Sequence, residues 1–279
     1  MFGRFIHHRL CAALCFVLSA GIAAAQGPSA VKEFEPRLGQ AGKDVVWVPT
    51  PLALVEKMLD VAKVTRTDYV IDLGSGDGRM VIAAAKRGAR ALGIEYNPDM
   101  VELSRRNAAN AGVADRATFV QGDIFASDLS KATVVTLFLL ADINLKLRPK
   151  ILDLSAGTRI VSTNFTMGAW IADRIVTAEE NCVDYCVAYF WIVPAKVEGR
   201  WQLPQGEIVL RQTFQKITGT VKSPAGVLEI RDGTIEGSRM TFSAGDTAYV
   251  GHVSGHRIEG VARTDAGINN WTATRSTAP

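Results

Sequence analysis

Asp72, Gly74, Gly76 and Gly78 fall at two-residue spacing in the run Tyr69 to Arg79, Y-V-I-D-L-G-S-G-D-G-R. Glycines at such a turn let backbone N–H groups approach a ligand at a helix N-terminus. A loop that cradles a pyrophosphate has the spacing G-x-G-x-x-G, and a carboxylate two residues ahead of its first glycine repels that double anion. Asp72 holds this position, so the loop suits a ligand with a cationic ammonium: the acid meets the charge and the glycines clear room for the arm that carries it. Two further acids follow short apolar runs. Glu95 closes Arg90 to Glu95 (R-A-L-G-I-E), and Asp123 follows Ala117 to Gln121 (A-T-F-V-Q) after Gly122.

Each acid needs a strand to deliver it and a helix behind it. Tyr69, Val70 and Ile71 are β-formers, while Met80 to Arg87 is rich in helix formers, so Gly74 to Gly78 reads as the crossover between them. Asp99 to Ala111 predicts a helix opened by Asn97 and Pro98 and closed by Gly112. Thr133 to Leu140 predicts a buried strand, Leu145 to Leu154 a helix despite Pro149, and Thr158 to Thr163 another strand. Upstream, Leu54, Val55, Met58, Leu59 and Ala62 recur at helical spacing, with Pro51 opening the helix after Thr50. This alternation is the pattern of a doubly wound, mostly parallel sheet, whose ligands bind at the carboxyl edge. Asp142 and Asn144, after the fourth strand, and Phe165 and Trp170, after the fifth, fall at that same edge.

On these residues the chain resembles the class I S-adenosylmethionine (SAM) methyltransferases, whose first motif, D-x-G-x-G-x-G, is matched by Asp72, Gly74, Gly76 and Gly78. The resemblance implies a seven-stranded sheet, with Cys186 to Val193 as its inserted antiparallel strand. It also implies a SAM site built from Thr50, Asp72, Gly74, Ser75, Gly76, Gly78, Glu95, Tyr96, Asp123 and Ile124. In that site Glu95 takes the ribose hydroxyls, Asp123 accepts from the adenine amino group and Ile124 packs on the ring. Trp47, Val48 and Thr50 belong to a segment that folds over the cofactor.

More narrowly, V-P-T-P, D-L-G-S-G-D-G-R and L-R-P-K followed by G-T-R-I-V-S are similar to the seven-strand protein-lysine methyltransferases, a group that includes the telomeric-silencing histone and mitochondrial ATP-synthase c-subunit types. That implies a protein lysine as methyl acceptor. The asparagine-rich motif of the histone type reads L-L-A-D-I-N here, ending at Asn144. Methyl transfer needs alignment and exclusion of water more than an acid–base dyad. The acceptor-side candidates are therefore Asn144 and Asp142, to orient the nitrogen, with Phe138, Phe165 and Trp170 as apolar walls that disfavour a charged amine. A small-molecule acceptor is a sub-case. The alternative from another class is a degenerate SAM-binding module that works through an interaction of its second domain.

That second domain is expected over 197–279, where short β-like runs such as Glu207 to Phe214, Met240 to Ala244 and Thr247 to His252 are punctuated by glycine turns about every ten residues. The spacing predicts a small all-β antiparallel meander of seven or eight strands, closing into a barrel or a curled sheet. His252 and His256 flank one of its turns with no acid or cysteine ligand beside them, so no metal is expected.

Residues 45–196 form the expected methyltransferase domain and 26–44, broken by glycines and prolines, a linker. Residues 1–25 carry Arg4 and Arg9 without an acid, then an apolar run from Leu10 to Ala25 that ends Ala23-Ala24-Ala25. They read as a signal peptide that engages the export machinery and delivers a periplasmic or secreted protein; an uncleaved membrane anchor is the alternative. Export favours the non-catalytic reading, because SAM is made in the cytoplasm. Loss of Arg4 and Arg9 lowers the formal charge from +3 to +1, so no nucleic-acid partner is expected. Cys182 and Cys186 are expected as half-buried thiols, since strand spacing holds them too far apart to pair without a turn between them.

Overall fold

A computed structural model describes residues 1–3 and 33–276. All but the first three residues of the expected signal, and part of the expected linker, lie outside the described residues. Seven strands form the first sheet: β1 (Tyr69–Leu73), β2 (Arg90–Glu95), β3 (Ala117–Gln121), β4 (Val134–Leu137), β5 (Arg159–Thr163), β6 (Arg174–Thr177) and β7 (Val187–Ile192). Their order is β3-β2-β1-β4-β5-β7-β6. All neighbours pair in parallel except β7, which runs antiparallel to both β5 and β6. Every residue of β4 is buried, as expected of a parallel strand covered on both faces.

Helices α1 (Leu52–Val61), α2 (Arg79–Lys86) and α3 (Pro98–Asn110) pack on one face through Leu54, Met58, Val81, Ala84 and Val101. On the other, α4 (Ala141–Leu152) packs through Ile143, Leu147 and Ile151. The Asn97 side chain caps α3 by accepting from the backbone of Asp99 and Met100, with Pro98 in the first turn, where its missing N–H costs nothing. Helix α4 begins four residues earlier than its pattern predicts. Leu140 is extended and its carbonyl accepts from the amides of Ile143 and Asn144, so Asp142 and Asn144 sit in the first helical turn and not in a loop. Strand β6 carries no sequence signal because it is a short, mostly exposed edge strand.

The remaining strands are β8 (Gly199–Leu203), β9 (Gly206–Thr213), β10 (Lys216–Ser223), β11 (Gly226–Glu236), β12 (Arg239–Ala244), β13 (Thr247–Ser254), β14 (Arg257–Thr264) and β15 (Gly267–Arg275). They form a closed antiparallel barrel in which β15 pairs back to β8. Trp201, Ile208, Leu210, Ile217, Met240 and Phe242 fill it. Strand β10 is absent from the β-like runs of the sequence because it is polar and carries Gly219. A Cβ there would lie 1.8 Å from the Val209 carbonyl oxygen, so only glycine fits where the wall bends.

Barrel and sheet meet at the β9–β10 turn. Phe214, at φ +54°, leaves the barrel and stacks on Trp170, with ring centroids 6.2 Å apart. The Arg148 guanidinium lies 5.3 Å from the centre of the Phe214 ring, and Gln215 donates to the Ile171 carbonyl at 2.7 Å. Trp170 is fully buried here, between Phe214 and Trp191, so it is a structural anchor and not a wall of an acceptor channel. Phe214→Ala is expected to cost about 3 kcal/mol, read as a lower midpoint in denaturant unfolding.

Cys182 and Cys186 are joined in a disulfide, with Cα atoms 5.8 Å apart, against the expectation of two free thiols. A strand would separate residues four apart by about 13 Å. Asn181 (φ +54°) and Tyr185 (φ +57°) instead take left-handed conformations, which fold the chain into a tight turn before β7 begins.

Candidate functional site

The C-terminal edge of β1, β2 and β3 opens into a cleft of about 1010 Å³, counting its open mouth. Gly74, Gly76 and Gly78 have φ of +76°, +53° and +83°, a region that residues with a Cβ rarely enter. A Cβ on Gly76 would lie 2.7 Å from the Trp47 indole nitrogen, and one on Gly78 would lie 2.8 Å from the Phe119 ring. From α3, Ser104 donates to the Gly76 carbonyl at 2.7 Å and Asn107 to that of Asp77 at 2.9 Å. Two side chains of one helix thus fix the loop.

Asp72 lines the cleft yet is only 7% exposed. Burial pushes its carboxyl up to about 7. The Thr136 hydroxyl, donating at 2.7 Å, opposes the shift, and the charges of Glu95 and Asp77 add to it. A buried acid with acidic neighbours fits a cationic ligand, which would relieve its isolation. Glu95 accepts from the backbone N–H of Gly76 and of Asn97, both at 3.0 Å, and so couples β2 to the glycine loop. Asp123 accepts from Lys43 at 2.7 Å and from the Phe125 amide at 2.8 Å; the Lys43 bond holds it below the usual carboxylate range.

Thr50, Ser75, Tyr96 and Ile124 line the same cleft, with Gly74 and Gly76. Gly78 does not; it turns the chain into α2 beneath it. Among the lining residues that escape the sequence reading, three are polar and carry contacts of note. Arg79 forms a bidentate pair with Asp77 and donates to the Thr50 carbonyl at 2.8 Å. Lys43 lies 5.1 Å over the Tyr96 ring. Gln40 lies on a hairpin closed by Ala41 and Val46, within the expected linker, where polar composition hides it.

A second, apolar cavity adjoins the cleft and shares Val45, Val46, Val48, Phe138 and Leu139 with it; Leu140, Phe165 and Tyr185 complete it. Of Asn144, Asp142, Phe165 and Trp170, it contains Phe165 alone. Asn144 is fully buried beneath the channel and donates to the Ser162 hydroxyl at 3.1 Å and the Phe165 carbonyl at 3.2 Å. Asp142 is exposed on α4, away from both cavities. Tyr185 is not visible as a site residue in the sequence, where its only signal is the flanking cysteine pair.

Sheet order, glycine loop and buried acid together define a class I SAM-dependent methyltransferase, with SAM as cofactor. A family model described as the ANTKMT methyltransferase domain matches residues 72–174, ending well before the barrel. A protein-lysine N-methyltransferase of Saccharolobus islandicus is 40% identical over 152 residues, covering 53% of this chain and 94% of that protein. The ATP-synthase c-subunit lysine N-methyltransferase of Xenopus laevis is 35% identical over 130 residues, which are 46% of this chain and 57% of that relative. A solved structure described as an RNA methyltransferase from Salinibacter ruber, in complex with S-adenosyl-L-homocysteine, is 49% identical with a TM-score of 0.50; it covers 54% of this chain and 96% of that one. The chain belongs to the protein-lysine N-methyltransferase family.

Proposed function

We propose that this enzyme methylates a lysine side chain of an exported protein. The observation that carries the reading is the apolar channel, with aromatic residues Phe138, Phe165 and Tyr185, opening beside the cofactor cleft. A lysine amine has an ordinary pKa of about 10.4 and must shed its proton to attack. Aromatic faces attract the incoming cation, and an apolar wall then favours its neutral form. SAM, when bound, supplies an electrophilic methyl group on a sulfonium.

The chain's own residues bind, orient and keep water out. Asp72 takes the ammonium of the amino-acid arm, Glu95 the ribose hydroxyls, and Asp123 and Ile124 the adenine, with Trp47 and Thr50 over the loop. Glu95→Ala is expected to weaken SAM binding by about tenfold to hundredfold, since it removes charged hydrogen bonds worth about 1.5–3 kcal/mol. Calorimetry reads this directly.

The signal-like N-terminus and the disulfide both suit an oxidising compartment, which supports a periplasmic or secreted site of action. N-terminal sequencing of the native protein would detect cleavage after Ala25. The acceptor is tested by incubating the protein with radiolabelled SAM and either lysine-containing peptides or RNA. Label on the lysine nitrogen, located by mass spectrometry, supports the proposal. Label in RNA alone would sink it; the channel lining carries no Lys or Arg to meet a phosphate backbone.

A further inference from the structure

We infer that the disulfide-closed turn Cys182–Cys186 positions the methyl acceptor, by holding Tyr185 as an aromatic wall of the channel. The inference rests on the lysine reading above. Tyr185 packs edge-on against Phe138, with ring centroids 5.1 Å apart and planes at 60°. Phe138 directly follows β4 and lines both the cofactor cleft and the channel. Tyr185 therefore stands one ring away from the cofactor cleft. It is 40% exposed, placed where an entering side chain meets it first.

The three rings are held in different ways. Phe138 is fixed by the strand it follows. Phe165 is tied through its carbonyl to Asn144 and through its amide to the Thr163 carbonyl. Tyr185 has no strand or helix of its own: it sits at φ +57° in a turn whose apolar tip, Val183, is 94% exposed. A left-handed conformation is unfavourable for a non-glycine residue and persists only where its surroundings impose it. At the base of the turn, Ala178 donates to the Cys186 carbonyl at 2.8 Å. The covalent closure is Cys182–Cys186, and Cys182 itself packs against the core of the α1–α3 face. The disulfide thus ties the turn that carries Tyr185 to the rigid body of the sheet.

The test compares wild type with Cys182→Ala/Cys186→Ala, Tyr185→Ala and Tyr185→Phe, using a synthetic peptide with one lysine as acceptor. SAM affinity, measured by calorimetry, reports whether each variant keeps the fold and the cofactor site. The expected result is a peptide KM raised about tenfold in the double-cysteine and Tyr185→Ala variants, with SAM affinity and kcat within twofold of wild type and Tyr185→Phe near wild type. An active wild type matched in KM by either the double-cysteine or the alanine variant would overturn the inference and leave the lysine reading standing. So would a Tyr185→Phe variant as impaired as alanine, because the ring and not the hydroxyl is the wall. A wild type that methylates no lysine peptide overturns the lysine reading itself, and this inference with it. Should the double-cysteine variant lose SAM binding through misfolding, the peptide KM of wild type treated with dithiothreitol takes its place, and a KM unchanged by reduction would overturn the inference.

Discussion

Asp72→Asn is expected to weaken SAM binding by about a hundredfold or more while making the ligand-free protein more stable above pH 7. Both effects come from one buried carboxyl. Its ordinary value of 3.8 is pushed up to about 7 by burial. Between those values the folded state keeps a proton that the unfolded chain has lost, so the stability contributed by Asp72 is fully present below pH 3.8 and is lost as pH rises through 7. The difference between the two values corresponds to about 4 kcal/mol at most. Asparagine keeps the shape and an acceptor for the Thr136 hydroxyl but never ionises. The melting temperature of the variant should therefore exceed that of wild type at pH 8 and approach it near pH 4.

The ligand reverses this preference. A cationic ammonium favours ionised Asp72, so binding to wild type must expel the proton when pH is below 7. Wild-type affinity should rise about tenfold per pH unit up to pH 7 and then level off until the ligand's own ammonium loses its proton. The Asp72→Asn variant offers no counter-charge, and its affinity should be flat across that window. A loss of a hundredfold corresponds to about 2.7 kcal/mol, within reach for a desolvated charge left unpaired. Calorimetry at pH 6, 7 and 8 on both proteins checks the claim. A wild-type affinity that does not change with pH would show that Asp72 does not meet the cation.

The features legible in the sequence are those fixed by short-range chemistry. Tyr69 to Gly78 announces a strand, a turn and a helix through β-formers followed by glycines, and Glu95 and Asp123 repeat the strand-then-acid grammar. The barrel is legible through the spacing of its glycine turns, although polar β10 is not. What escapes depends on contacts between distant segments. Trp170 lies in the loop expected to face the acceptor, but Phe214, from the barrel, draws it into the core. Tyr185 lies in a stretch that reads as extended, yet two left-handed residues and a disulfide turn it to the channel. Lys43 lies in a polar stretch without periodicity, and only the hairpin that carries it brings it to Asp123. A periodic pattern specifies which face is buried, not which distant partner buries it.

Asn144→Ala is expected to lower kcat/KM for a lysine peptide by about a hundredfold while leaving SAM affinity within threefold of wild type. Asn144 touches neither cavity. Its amide, fully buried in the first turn of α4, donates to the Ser162 hydroxyl, the Phe165 carbonyl and, at 3.4 Å, the Thr166 carbonyl. These bonds tie the start of α4 to the loop that follows β5, and Phe165 is the channel wall on that loop. Alanine leaves these acceptors without their donor, at about 1–3 kcal/mol for each one that stays buried and unpaired. The loop should survive, because Trp170 remains clamped between Trp191 and Phe214 further along. Freed from its tether, Phe165 would sample positions that widen the channel, and a misplacement of about 1 Å is enough to cost a hundredfold in rate. The cofactor cleft shares no hydrogen bond with Asn144, which is why SAM binding is the control. Asp142→Ala, on the same turn but exposed, should leave both parameters within twofold. Equal losses in kcat/KM and SAM affinity for Asn144→Ala would mean general unfolding; a loss confined to the acceptor would make Asn144 the residue that positions the channel from beneath.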